Sequence, residues 1–189
     1  DLHYSLHSFP TRRSSDLVRE TDGQRAARMA WFREARFGIF LHWGLYTTAG
    51  GQWDGQRVND CGEWIQNFGN IPTSRYKELV PRFQPDQYDP KAWAQLFHDA
   101  GARYVVMTTK HHDGFCLWPS AYTDHSVAFS PWRQGKGDVV AEVAQACREG
   151  GLRFGVYMSP WDRHEPSYGD SPRYNAHFCA QLRELATGY

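Results

Sequence analysis

A repeated strand signature constrains the fold of this 189-residue chain more than any other feature. Arg36-Phe37-Gly38-Ile39-Phe40 matches Arg153-Phe154-Gly155-Val156-Tyr157 almost residue for residue. Between them, the run from Asp99 through Arg103 to Val106 aligns with the run from Glu149 through Arg153 to Val156. In each, a basic residue leads into a short aromatic and aliphatic run. The second and third follow glycines able to cap a helix, Gly101 and Gly151. Such runs read as buried strands entered from helices.

Helices are predicted between and after them. Asp89-Pro90 supplies an N-cap and a first-turn proline, and Trp93, Leu96, Phe97 and Ala100 fall on one face. Asp138 opens a second helix with Val140, Val143, Ala144 and Cys147 in line, and Ser171-Pro172 opens a third with Tyr174, Phe178, Leu182 and Leu185. Strand and helix alternate, which predicts a parallel α/β sheet or barrel. The connections are longer than a compact βαβ repeat of roughly thirty residues needs. The surplus follows each strand's C-terminal end, where parallel α/β folds carry ligands. His42-Trp43-Gly44, Lys110-His111-His112-Asp113-Gly114-Phe115 and Ser159-Pro160-Trp161-Asp162-Arg163-His164 all lie there.

Each candidate has a plain alternative. His42 fits either a pocket or a satisfied core position at the end of an apolar strand. His111 and His112 point to opposite faces of an extended strand, so they share a pocket only if the chain departs from regular geometry. Together with Asp113 they also suit a metal, although adjacent histidines are not the spacing of a usual ligand pair. Glu63 reads alone as a solvated carboxylate. Gly135-Lys136-Gly137-Asp138 lacks the pattern of a phosphate loop.

Composition removes several classes. Lys and Arg, 21 in all, balance 21 Asp and Glu, so no bulk field favours nucleic acid or an acidic membrane. No apolar run reaches the ~18 residues of a membrane span. The four cysteines lie far apart, against a zinc knuckle or a dense disulfide framework. Aromatic residues make up 15% of the chain, enough for platforms that stack a ligand such as a sugar as well as for a core.

Taken together, residues 36–44, Glu63-Trp64, the run from Thr109 to Trp118 and Lys136-Gly137-Asp138-Val139-Val140 resemble glycoside hydrolase family 29, the α-L-fucosidases. The resemblance implies a partial (β/α)8-like barrel holding the first three or so strand–helix units. It implies removal of terminal α-L-fucose from glycans with retention, through a covalent intermediate. It places His42, Glu63, His111, His112 and Tyr157 on the fucose-binding pocket, with no metal and no cofactor, and with a fucosylated glycan or glycoconjugate as partner. Ser159-Pro160-Trp161-Asp162-Arg163 is similar to the branch preferring α-1,3 and α-1,4 linkages. Retaining hydrolysis needs two carboxylates about 5–5.5 Å apart. The family's nucleophilic Asp lies in a Trp-Phe-Asp-Gly type motif that the chain lacks, so no residue here is expected to be the nucleophile. Two alternatives stay open: a metal-assisted barrel hydrolase using His111, His112 and Asp113, and a carbohydrate-binding barrel without catalysis.

The first residues are set apart. The run from Ser8 to Leu17 reads as a translated sequencing-library adapter, so 1–17 is expected to be an artefactual tail and 18–189 the N-terminal part of the catalytic barrel. The true start is then expected to be missing, and the resemblance suggests an exported protein, periplasmic or extracellular.

Overall fold

The computed structural model describes residues 20–58 and 61–189, so the expected artefactual tail lies outside the described residues. The described residues fall into two compact units, 20–36 and 37–189. In the first, helix α1 (Asp22–Ala35) opens on a reciprocal cap. The Gln24 N–H donates to Thr21 Oγ at 3.2 Å, and the Thr21 N–H donates to Gln24 Oε1 at 2.9 Å.

The second unit is mixed α/β. Strand β1 (Gly38–Leu41) is followed by a short hairpin, β2 (Gln52–Trp53) and β3 (Gln56–Arg57). Then come α2 (Ile65–Phe68), α3 (Thr73–Tyr76), α4 (Pro90–Asp99), β4 (Tyr104–Lys110), α5 (Val139–Glu149), β5 (Arg153–Met158) and α6 (Ser171–Gly188). The predicted strands form a parallel sheet in the order β1-β4-β5. Positions matched by the sequence signature are one residue out of step at each crossing, because Tyr104 pairs with Gly38 on one side and Arg153 on the other. The hairpin was not among the expected elements. Its signal is Asp54-Gly55, whose φ angles of 50° and 76° both occupy the left-handed region that such a turn requires.

The helix caps follow the sequence closely. Asp89 accepts from the Lys91 and Ala92 N–H groups, and Asp138 from that of Ala141. The third cap is Asp170, one residue before the predicted start at Ser171. Val105 and Met107, fully buried, pack in one core with Val139, Val143 and Cys147 of α5. Two helix faces need correction. Leu96 is 64% exposed and Leu182 42% exposed, whereas Ala94 and Gln181 are buried. The end of α5 packs beside α4, where a Cβ on Gly150 would meet Ala94 Cβ at 3.6 Å, an ordinary van der Waals contact.

Candidate active site

The site forms at the C-terminal end of the sheet. Rows of paired residues put Gly38, Phe40, Tyr104, Val106, Gly155 and Tyr157 on one face. His42 continues that face past the end of β1, and its ring stacks on Phe40 with centroids 4.8 Å apart. Phe40 is 51% exposed, and His42 is exposed as well.

An irregularity in β4 brings the neighbouring histidines into use. Thr108 pairs with Tyr157 and Lys110 with Met158, so Thr109 is the extra residue of a β-bulge. In a regular strand His111 would face the helices. The bulge inverts the alternation after Thr109, sending Lys110 to α6 and His111 to the site, the re-aiming for which bulges serve near functional sites. Thr109 Oγ donates to the Tyr157 carbonyl at 3.0 Å, and Thr108 Oγ accepts from the Trp43 N–H at 3.1 Å. Both neighbouring strand ends are thus tied to the bulge.

The expected residues then come together. The His111 ring centroid lies 5.6 Å from His42, 6.2 Å from Tyr157 and 4.1 Å from His112. Glu63 lies near enough that its charge and its backbone carbonyl act on the His111 ring, pulling its pKa upward. His112 packs edge-on against Trp64 at 4.5 Å and lies 5.0 Å from Trp161, while Tyr46 packs on His111 at 5.7 Å. Trp64 and Tyr46 were not assigned roles in the sequence, and Ser159 and Trp161 were read only as part of the run that suggests linkage preference. Phe40 was legible, since it shares a strand face with His42; nothing in the local sequence marks Tyr46.

Electrostatics favour the neutral form of His111 and His112. Burial, and then the neighbouring His112 and His42, pushes the His111 pKa down to about 4 against a partial pull upward from Glu63. His112 is lowered too, chiefly by burial. Neutral imidazoles offer one donor and one acceptor each, which suits sugar hydroxyls. Asp113 takes no part in the cluster. Its carboxylate accepts from Tyr76 OH at 2.8 Å and from the Phe115 N–H at 3.1 Å, and burial raises its pKa to about 6. Among the described residues no group of three His, Cys, Asp or Glu side chains is placed to hold a metal ion.

A second buried network supports the loops. Lys110 Nζ donates to Asp162 Oδ2 at 2.7 Å and to Gln181 Oε1 at 2.8 Å. Asp162 Oδ1 accepts from the His164 and Glu165 N–H groups, turning the loop after β5. Gly114, with φ 79°, lies directly against this carboxylate.

Comparison with known proteins agrees with this geometry. The alpha-L-fucosidase family profile matches residues 8–189. Alpha-L-fucosidase 1 of Arabidopsis thaliana is 42% identical over 151 residues, covering 80% of this chain and 26% of that protein. The tissue alpha-L-fucosidase of Homo sapiens is 38% identical over 147 residues, covering 74% and 31%. A crystal structure of a glycoside hydrolase family 29 alpha-L-fucosidase from Bacteroides thetaiotaomicron superposes with a TM-score of 0.80 at 37% identity, covering 85% of this chain and 38% of that one. The chain thus spans roughly a quarter to two-fifths of the length of the relatives it matches. Over that span sequence and fold point the same way, and the chain belongs to the alpha-L-fucosidase family.

Proposed function

We propose that this chain builds the sugar-binding side of a retaining α-L-fucosidase. In this reading residues 18–189 are the N-terminal part of a (β/α)8-like catalytic barrel, and a fucosylated glycan is the substrate. His42, Glu63, His111, His112 and Tyr157 line the fucose subsite, where neutral imidazoles take hydroxyls and the Phe40–Tyr157 wall takes the apolar side of the deoxy sugar. The observation that carries the reading is the convergence of His42, His111 and Tyr157 from three strands, with ring centroids no more than 6.5 Å apart. A preference for α-1,3 and α-1,4 linkages belongs to the same reading, through the Ser159–Arg163 loop.

What supports the barrel is the parallel sheet of β1, β4 and β5 in sequence order, with helices in the connections, the arrangement that successive units of such a barrel take. The nucleophile is assigned to no residue here. A relative from Bacteroides thetaiotaomicron trapped as a covalent intermediate in complex with 2-fluoro-fucosyl fluoride supports double displacement as the chemistry of the complete enzyme.

The test is made in the full-length enzyme. His111→Ala or His112→Ala should lower kcat/KM on an aryl α-L-fucoside by roughly ten- to a hundredfold, the loss of a hydrogen bond to a buried hydroxyl. Wild-type activity should survive a strong chelator. Two variants with undiminished kcat/KM, or activity lost to chelation and restored by zinc, would overturn the reading.

A further inference from the structure

Ser159, fully buried just past the end of β5, has one hydroxyl facing three polar groups. Its Oγ lies 2.6 Å from His112 Nδ1, 3.1 Å from the Trp161 nitrogen and 3.1 Å from the Trp161 carbonyl oxygen. A hydroxyl gives one proton and receives at two lone pairs. One assignment satisfies all three contacts: Ser159 donates to the Trp161 carbonyl, and accepts from the Trp161 N–H and from an N–H at His112 Nδ1. The reverse assignment, with Ser159 donating into the ring, gives up the bond to the Trp161 carbonyl. Leaving a buried polar group unmatched is the more costly arrangement.

We infer that Ser159 is a positioning residue that holds His112 as its Nδ1–H tautomer, leaving Nε2 as a bare acceptor for a ligand hydroxyl. The inference rests on the fucoside reading for the ligand alone; the tautomer itself follows from the Ser159 contacts. An acceptor held at one ring nitrogen keeps the proton there and leaves the other nitrogen bare, the same logic by which an outer partner sets a metal-bound imidazole. Trp64 and Trp161 hold the ring from its edges and faces, so the tautomer and the ring position are set together. The consequence is a rule of selection. A sugar position facing His112 must bring a proton, and a fluorine or hydrogen there forfeits the contact. Through the paired bonds to its main chain, Ser159 also fixes Trp161, so acceptor and aromatic wall move as one unit.

The experiment uses full-length enzyme labelled with ¹⁵N-histidine. Long-range ¹H–¹⁵N spectra at neutral pH report which nitrogen of each ring carries the proton, and the His112 signals are those lost in His112→Gln. Wild type should show a protonated Nδ1 and a bare Nε2 at His112. Ser159→Ala should shift His112 toward Nε2–H and lower kcat/KM on an aryl α-L-fucoside by about tenfold, one weakened hydrogen bond. Ser159→Thr, which keeps the hydroxyl, should keep the wild-type tautomer. Nε2–H in the wild-type spectrum overturns the inference even if neither variant folds, and so does an unchanged tautomer in Ser159→Ala. The two readings fail separately. An active fucosidase with Nε2–H at His112 sinks only the tautomer assignment. A protein with Nδ1–H at His112 that cleaves no α-L-fucoside sinks only the fucosidase.

Discussion

Lys110 Nζ sits 2.7 Å from Asp162 Oδ2, with the two side chains 0% and 3% exposed. The pair joins the end of β4 to the loop after β5, and Gln181 of α6 completes the lysine's contacts while the Tyr174 and Phe178 rings flank it. The opposite charge and the two loop N–H donors hold the Asp162 carboxyl below its ordinary pKa despite burial.

Removing one partner should therefore be severe. Lys110→Met leaves a buried carboxylate without its cation and should destabilise the full-length protein by about 3–5 kcal/mol in urea unfolding. Lys110→Met combined with Asp162→Asn should cost less than the sum of the single variants, because no uncompensated charge remains. Strict additivity would argue that the pair does not act as a unit.

Gly114 gives a steric test of the same contact. Its φ of 79° is disfavoured for other residues, and a Cβ there would collide with Asp162 Oδ1 and His164 Cβ. Gly114→Ala should destabilise by about 1–3 kcal/mol from backbone strain alone, and more if Asp162 is displaced. A melting temperature equal to wild type would show that the two loops part easily.

The buried histidines predict acid lability. His125 is 1% exposed, and burial followed by the adjacent His164 pushes its pKa down to about 3. His125 and His111 stay neutral in the folded protein while their unfolded counterparts protonate below about 6.5. Stability should fall as pH drops from there toward 4, since the unfolded state binds more protons. Asp113 works in the opposite sense, because its raised pKa of about 6 lets the folded state take up a proton first. Two histidines against one carboxyl leave about one net proton, or about 1.4 kcal/mol per pH unit near pH 5. His125→Phe should flatten this slope in melts taken between pH 6.5 and 4; an unaltered slope would remove His125 from the account.

The N-terminal segment makes a separate prediction. Deleting residues 1–17 from the full-length protein should leave melting temperature and activity on an aryl α-L-fucoside unchanged. A stability loss above about 1 kcal/mol, the size of an ordinary single-site effect, would show that the segment contributes to the fold.

Much of this was legible in the residues because local rules and tertiary structure agreed. Asp89, Asp138, Gly101 and Gly151 mark helix ends in the sequence and do so in the fold. The α4 face was misjudged because hydrophobicity favours Leu96 over Ala94, whereas the position packed beside the end of α5 is that of Ala94. The burial of Lys110 was not legible, since its partners Asp162 and Gln181 are 52 and 71 positions away. The bulge at Thr109 has no signature in the residues around it, yet it decides which face His111 serves.

The two-residue alternation of β1 and β4 also sorts kinds of genetic change. Loops between the strands can lengthen or shorten at little entropic expense. Inside β1, one inserted or deleted residue would turn His42 and Phe40 together toward the helical layer and bring Leu41 to the face of the candidate site. In β4 the extra Thr109 has already made that inversion, and deleting it would reverse Lys110 and His111 in a single step. Insertions and deletions in diverged copies of this chain should thus gather in the loops and spare these two strands, even where their side chains have been exchanged.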